Sequence, residues 1–201
     1  MNAIINSYVI GCGTNYTLSA TASNGDHYGV TVKKSCPYTS RPGHGGVDEL
    51  KWLTMNDKPV MVEWYADQPP YPNSMVTVTF NTSPFLIDGL IENATGFGFA
   101  ESHTPPATAK VGDSGVLFVL NNKVIHGNTA EEEMTEWSVD PATADTAWFC
   151  LNERRRITVG TAAPTYSAID AKECAQVTPS GAVIGYKVDV NDPEVGSLRF
   201  R

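Results

Sequence analysis

The segment Val116-Leu-Phe-Val-Leu-Asn-Asn-Lys-Val-Ile-His126 gives the clearest indication of the fold. Two largely apolar runs flank the residues Asn121 and Asn122. Asparagine tolerates the positive φ that a two-residue hairpin turn requires, which most other residues do not. The segment therefore predicts a β-hairpin with its turn at Asn121 and Asn122.

Short strands bounded by turn residues recur on both sides of this hairpin. Residues 28–34 and 75–80 alternate apolar and polar side chains, which predicts strands that each bury one face. Residues 59–65 predict another strand, with a proline at the first position, where a missing N–H donor is tolerated. Further predicted strands are 4–10, 16–21, 85–91, 146–151, 155–160 and 182–190.

Helical patterns are few and short. Residues 47–53 place three apolar side chains on one face of a two-turn helix, and residues 129–137 open with Thr129 as a capping residue. Residues 166–175 are a third helical candidate. Because strands predominate, we expect an all-β protein with one to three short helices. An antiparallel β-sandwich is the predicted architecture, and a closed β-barrel is the alternative.

The chain has 201 residues and is predicted to form a single β-rich domain over residues 1–201. The alternative is a domain boundary within residues 101–110, which are polar and contain two prolines. Strand density is similar on both sides of this segment, so we interpret it as a surface loop.

Composition and charge exclude several classes of function. Fourteen Lys and Arg against 22 Asp and Glu give a net charge of −8, whereas a nucleic-acid binder needs a basic face. No apolar run approaches the ~18 residues that a membrane-spanning helix needs. We therefore expect neither a nucleic-acid partner nor a transmembrane segment. No secretory signal is visible at the N-terminus, so the sequence leaves the compartment open.

The four cysteines, Cys12, Cys36, Cys150 and Cys174, fall into two pairs with equal separations of 24 residues. An even count allows two disulfides, which would favour an extracellular protein. The alternative is four buried thiols that behave as small apolar side chains. No cysteine lies in a C-x-x-C pair or near a histidine, so we expect no zinc site. No other metal or cofactor is predicted.

Gly112-Asp113-Ser114-Gly115 directly precedes the predicted hairpin. These are common turn residues, so one interpretation is a surface turn that enters the hairpin. The stretch also resembles the nucleophile loop of chymotrypsin-like serine proteases, in which this tetrapeptide precedes a β-hairpin. The resemblance implies that Ser114 is a nucleophile, that His27 is its base and that Asp48 orients the histidine, in the family's chain order.

Aromatic residues and prolines are concentrated in Glu63-Trp-Tyr-Ala-Asp-Gln-Pro-Pro-Tyr-Pro-Asn73. Rings in a proline-stiffened loop form a flat surface on which a sugar stacks, and nearby carboxylate and amide groups hydrogen-bond its hydroxyls. The alternative is that an individual ring packs into the core, because neighbouring side chains on a strand point in opposite directions. The candidate ligand-binding residues are Trp64, Tyr65, Asp67, Gln68, Tyr71 and Asn73.

Two charged runs and one histidine carry weaker indications. We interpret Arg154-Arg-Arg156 as a solvated strand edge, with contact to an acidic partner as the alternative. Residues 131–133 are three glutamates that fit the polar first turn of the predicted helix 129–137. His44 lies in a glycine-rich segment and is interpreted as a loop residue rather than a metal ligand.

The leading functional hypothesis is a non-enzymatic recognition protein that binds a glycan or a cell-surface receptor through the exposed aromatic and proline-rich segment. A compact serine hydrolase that uses Ser114 is the first alternative. A structural or virion-like assembly role is the second.

Overall fold

The structure, a computed structural model, describes residues 1–38, 44–59, 74–82, 85–92, 96–124, 129–159, 165–166, 171–192 and 196–201. It is nearly all β and forms two antiparallel sheets that are not closed into a barrel. The predicted antiparallel sandwich is thus confirmed, and the closed barrel is not formed.

The chain begins with a helical turn, α1 (Asn2–Ile4), that continues into a π-helical stretch over Ile5–Ile10. Strands account for most of the described chain after Asn15. They are β1 (Asn15–Thr21), β2 (His27–Tyr38), β3 (His44–Met55), β4 (Lys58–Pro59), β5 (Ser74–Thr82), β6 (Phe85–Glu92), β7 (Gly96–Ser102), β8 (Ser114–Val124), β9 (Thr129–Pro141), β10 (Ala147–Val159), β11 (Thr165–Tyr166), β12 (Ala171–Val177), β13 (Val183–Asp192) and β14 (Gly196–Phe200).

Successive strands pair in an antiparallel meander. The first sheet has the order β1-β2-β3-β5-β6 and the second has the order β8-β9-β10-β12-β13-β14. Strand β7 joins the sheets, because residues 96–98 pair with β6 and residues 99–102 pair with β8. The short strands β4 and β11 pair with β3 and β10. The first and last strands meet where Ser19 and Arg201 exchange backbone hydrogen bonds of 3.1 and 3.0 Å.

Two apolar clusters fill the space between the sheets, and their burial is the main force that holds the faces together. The smaller cluster joins β1 and β2 to β13 and β14, and it consists of Leu18, Ala20, Ala22, Tyr28, Val188, Leu198 and Phe200. The larger cluster consists of Tyr8, Ile87, Leu117, Phe118, Trp137, Val139, Phe149, Ala175 and Val177. The larger cluster contains residues from before and after 101–110, so the two parts of the chain on either side of that segment share one core. The prediction of a single domain remains a prediction.

Most of the predicted strands are confirmed, with small differences at their ends. The predicted strands 16–21, 28–34, 75–80, 85–91 and 182–190 correspond to β1, β2, β5, β6 and β13. The predicted strands 146–151 and 155–160 form one continuous strand, β10. Of the predicted strand 59–65, only Pro59 lies among the described residues, in β4.

The three predicted helices are wrong. Residues 47–53 lie in β3, residues 129–137 lie in β9, and residues 171–175 of the third candidate lie in β12. In β3, Val47 and Glu49 share the inner face. A strand is predicted from the alternation of apolar and polar residues, and the charged Glu49 at an inward position interrupts that alternation. In β9, long-range pairing with β10 overrides the local capping signal at Thr129.

The two charged runs lie opposite each other in the register of β9 and β10. Arg155 pairs with Glu133 and Arg156 pairs with Glu132. The glutamates therefore belong to a strand, and the expectation of a first helical turn at 131–133 is wrong.

The predicted strand 4–10 is also wrong, because this segment forms the helical N-terminus. Tyr8 in this segment is 2% exposed, and its ring lies edge-on to the Phe149 ring with 6.1 Å between the ring centres. The Ser7 hydroxyl oxygen lies 2.8 Å from both the Ala3 and the Gly181 carbonyl oxygens, which share its single O–H donor. The segment thus packs against the second sheet and does not pair with any of the described strands.

The predicted turn at Asn121 and Asn122 is wrong as well, since β8 continues through both residues with an irregular register. A two-residue turn with positive φ lies instead between β3 and β4, at Asn56 (φ 50°) and Asp57 (φ 64°). The Asn56 side chain accepts a hydrogen bond from the His27 N–H and donates one to Asp26. These tertiary partners fix the turn at Asn56, and a sequence pattern does not reveal them.

Two disulfides are present, and they confirm the first interpretation of the cysteines. Cys12 is bonded to Cys36, and Cys150 is bonded to Cys174. The first disulfide ties the turn after the N-terminal helix to β2, whereas the second joins directly paired residues of β10 and β12. Cys150 and Cys174 are buried, and Cys12 and Cys36 are exposed.

Candidate functional site

The implied catalytic residues Ser114, His27 and Asp48 lie on different strands and have local surroundings of their own. His27 begins β2, and its Nδ1 lies 3.1 Å from the Thr21 hydroxyl. Asp48 lies in β3 and accepts a hydrogen bond of 2.7 Å from the Thr77 hydroxyl. Ser114 begins β8 and is exposed. Within the described part of the chain, no hydrogen bond joins these three side chains, and the hydrolase hypothesis stays a prediction.

The Gly112-Asp113-Ser114-Gly115 segment forms a turn that leads into β8. The Asp113 N–H donates to the Lys110 carbonyl at 3.0 Å, and the Asp113 carboxylate accepts from the Lys110 N–H at 2.9 Å. Gly112 has φ of +94°, which suits glycine at the third position of a tight turn. The Asp113 side chain therefore closes the turn.

The predicted ligand-binding residues Trp64, Tyr65, Asp67, Gln68, Tyr71 and Asn73 all lie outside the described residues. The described residues on either side of this segment are Pro59 and Ser74, and both pair with β3. Pro59 pairs with Thr54, and Ser74 pairs with Lys51. The described residues that flank residues 60–73 thus pair with one strand, at positions three residues apart.

Beside that attachment point, charged side chains meet between the two sheets. The Lys34 ammonium lies 2.7 Å from one Glu49 oxygen, and the Lys51 ammonium lies 3.1 Å from the other. Lys51 also donates a hydrogen bond to Glu173 on β12 of the second sheet. We call Lys34, Glu49, Lys51, Glu173 and the neighbouring Glu153 the inter-sheet charge cluster.

Strand register explains why these side chains converge. Lys34 and Glu49 are directly paired across β2 and β3, and paired residues of an antiparallel ladder point to the same face. Lys51 is two residues beyond Glu49 and shares that face. Glu173 pairs with Leu151 of β10, which places Glu173 on the same face as Glu153. The first sheet therefore presents two ammonium groups and one carboxylate to the two carboxyl groups of the second sheet.

The cluster is largely shielded from solvent. The Lys34 and Glu49 side chains are 5% and 15% exposed, and the Lys51 side chain is 26% exposed. The Lys34 ammonium also donates to the Tyr8 carbonyl at 3.2 Å and lies 5.1 Å from the centre of the Tyr8 ring. A buried charge needs such partners, because leaving water is costly.

Proximity of opposite charges shifts the pKa values in the cluster. Burial alone would raise the pKa of Glu49, but Lys51 and Lys34 outweigh burial and hold this pKa well below its usual range. Burial alone would lower the pKa of Lys51, but Glu173 and Glu49 raise it well above its usual value. Glu49 and Lys51 are therefore ionised across the neutral range.

Glu153 behaves differently. Burial raises the pKa of Glu153 to about 7; Lys51 opposes this rise, and the carboxylates of Glu173, Glu133 and Glu49 reinforce it. Near neutral pH this carboxyl exists in both its protonated and its ionised form.

The sequence analysis did not single out any member of this cluster. One signal was present, because the alternation of residues 28–34 places Lys34 on the same face as Tyr28 and Val32. A lysine at an inward strand position indicates a buried partner. Which carboxylates supply that partner depends on contacts between residues more than 100 positions apart, such as Lys51 and Glu173.

A cleft of about 370 Å³ lies at one end of the second sheet, where the N-terminal helix meets residues 108–111, 143–147 and 177–181. This volume is in the range of small-molecule sites. Two pairs of hydroxyls in its lining bond to each other, Thr143 with Thr146 at 2.7 Å and Thr178 with Ser180 at 2.8 Å.

Arg154 and His44, which the sequence analysis also considered, both lie in β-strands. Arg154 donates to Glu136 at 2.8 Å, so this member of the basic run has a partner on β9. His44 begins β3 and pairs with Asn81, which makes it a strand residue rather than the expected loop residue. Among the described residues, no group of three or more His, Cys, Asp and Glu side chains is arranged to hold a metal ion.

Comparisons of the chain with protein-family models, with curated proteins and with solved structures find no match. Across the described residues, no helix has the length and apolar character needed to cross a membrane.

Proposed function

We propose that the protein is a non-enzymatic recognition protein and that its segment 64–73 binds a glycan, carried by a cell-surface receptor or free. The segment supplies Trp64 and Tyr71 as stacking surfaces, and Asp67, Gln68 and Asn73 as hydrogen-bonding groups. Aromatic rings with a few polar groups beside them are suited to sugars, which have apolar ring faces and hydroxyl edges.

The observation that supports the proposal is that Pro59 and Ser74, the described residues that flank residues 60–73, both pair with β3. Pro59 and Ser74 pair with Thr54 and Lys51. A rigid sheet that fixes both ends of a loop reduces the conformational entropy lost on binding. Binding residues are commonly found on loops that a rigid scaffold positions.

The disulfides support a location outside the reducing cytosol. Disulfides persist in oxidising compartments and are rare in the cytosol. Two of them stabilise this sandwich. An extracellular or cell-surface setting, where glycans are abundant, is therefore part of the proposal.

A glycan array probed with fluorescently labelled protein tests the proposal. We expect binding by the unmodified protein and a loss of at least tenfold in apparent affinity for the W64A/Y71A variant. The matched control is I184A, which removes an apolar side chain that is 57% exposed on β13; it should bind as the unmodified protein does. Equal binding by W64A/Y71A, or no binding by the unmodified protein to any glycan, would refute the proposal.

The serine hydrolase alternative makes a separate prediction. A fluorophosphonate probe should label an activated serine, and S114A should abolish the label. Labelling of the folded protein at Ser114 would favour the hydrolase over the recognition protein.

A further inference from the structure

The inter-sheet charge cluster contains more acidic groups than basic groups. Two ammonium groups, Lys34 and Lys51, face three carboxyl groups, Glu49, Glu173 and Glu153. The contacts of Lys34 and Lys51 with Glu49, and of Lys51 with Glu173, balance two positive against two negative charges. The carboxyl of Glu153 is the group left over.

Glu153 shares the inner face of the second sheet with Glu173, which pairs with Leu151 two residues before Glu153, and the charged groups that act on it come from three strands. Strand β12 contributes Glu173, β3 contributes Glu49 and Lys51, and β9 contributes Glu133, whose register partner on β10 is Arg155. Lys34 lies behind Glu49 on β2. The phenols of Tyr8 and Tyr16 lie nearby and stay neutral, because burial and then Glu173 raise the pKa of each above its usual value.

We propose that the inter-sheet charge cluster is a pH-sensitive latch between the two sheets, closed while Glu153 carries a proton and weakened when Glu153 releases that proton to solvent. With Glu153 protonated, the cluster is electrically neutral and joins β3 to β12 through Lys51 and Glu173. With Glu153 ionised, three carboxylates compete for two ammonium groups between the sheets. The proposal does not depend on the ligand of segment 64–73.

The direction of the effect follows from proton linkage. The pKa of Glu153 is about 7 in the folded protein against a usual value of 4.5, so the folded state binds the proton more tightly than the unfolded state. The contribution to stability is complete below the usual value and is lost as the pH rises through 7. Glu49 acts in the opposite direction, because its lowered pKa stabilises the fold above the usual value and this gain is nearly complete by about pH 5.5.

Urea unfolding at pH 5.5 and pH 8 tests the latch. For the unmodified protein, linkage with these two pKa values predicts that the unfolding equilibrium constant rises roughly 30-fold over this interval. The E153Q variant, which carries no ionisable group at this position, should lose that rise. The control E101Q removes an exposed carboxylate and should keep it. A flat profile for the unmodified protein, or an unchanged rise in E153Q, would overturn the proposal.

A measurement on the unmodified protein keeps the test valid if E153Q does not fold. Carbon-13 NMR of the glutamate carboxyls follows each titration directly. We expect the Glu153 signal to shift with a midpoint near neutral pH, and amide exchange in β3 and β12 to accelerate over the same interval beyond its intrinsic pH dependence. A Glu153 midpoint below pH 5.5, or no change in relative protection, would overturn the latch.

Discussion

Replacing Lys51 by methionine is the sharpest test of the inter-sheet charge cluster. The Lys51 ammonium lies 3.1 Å from Glu49 and bonds Glu173 on the opposite sheet. Methionine keeps the length of the side chain and removes the charge. In K51M, Glu49 retains Lys34 at 2.7 Å, whereas Glu173 loses its ammonium partner while its side chain stays 11% exposed.

The expected cost is about 2–3 kcal/mol in the free energy of unfolding. Removing one partner of a buried ion pair costs roughly 3–5 kcal/mol, because the other charge is left without compensation. The Lys51 side chain is 26% exposed, so solvent screens part of this cost. The double variant K51M/E173L should recover at least half of the loss, since an apolar pair of similar volume replaces a buried ion pair at little cost.

Urea unfolding at pH 6, followed by tryptophan fluorescence with both disulfides intact, measures these differences. The control K33M removes an exposed lysine on the outer face of β2 and should change stability by less than about 0.5 kcal/mol. If K51M costs as little as K33M, or if the effects of K51M and E173L simply add, the two residues are not coupled across the sheets and our reasoning is wrong.

Two further predictions concern the disulfides and the packing of β3. The Cys12–Cys36 and Cys150–Cys174 disulfides have the same sequence separation of 24 residues, so loop entropy predicts that each stabilises the fold by about 3 kcal/mol. The first disulfide has exposed cysteines and the second has buried ones. Mild reductant followed by alkylation and mass spectrometry should therefore label Cys12 and Cys36 well before the other pair, and simultaneous labelling would contradict this. A Cβ on Gly45 would lie 2.6 Å from the buried Phe80 ring, so G45A should cost about 1–3 kcal/mol in urea unfolding. The control G185A, whose Cβ would make an ordinary 3.5 Å contact, should stay within about 0.5 kcal/mol, and equal costs for the two variants would contradict the packing argument.

The strand predictions succeeded where one face of a strand is apolar. In β2, the alternation of residues 28–34 is visible because Tyr28 and Val32 are buried on the inner face. The pattern failed in β3 and β12, where Glu49, Lys51 and Glu173 occupy inward positions. Charged residues are expected at the surface, so a buried ion pair makes an inward position look like an outward one.

The candidate functional sites differ in the same way, because some have a local sequence signal and others do not. Sequence motifs drew attention to Ser114 and to the aromatic segment, because turn residues and clustered rings are visible without knowledge of the fold. The inter-sheet charge cluster has no local motif, since its members lie on four strands spread from Lys34 to Glu173.

The order of residues along the chain determined the β architecture, the paired cysteine spacing and the net negative charge, because periodicity, spacing and net charge are local or summed properties. Only the tertiary structure decided which strands pair, where the N-terminal segment turns helical and which charges meet between the sheets. These outcomes depend on the burial and electrostatic energies of residues far apart in the chain, and no window of sequence contains both partners.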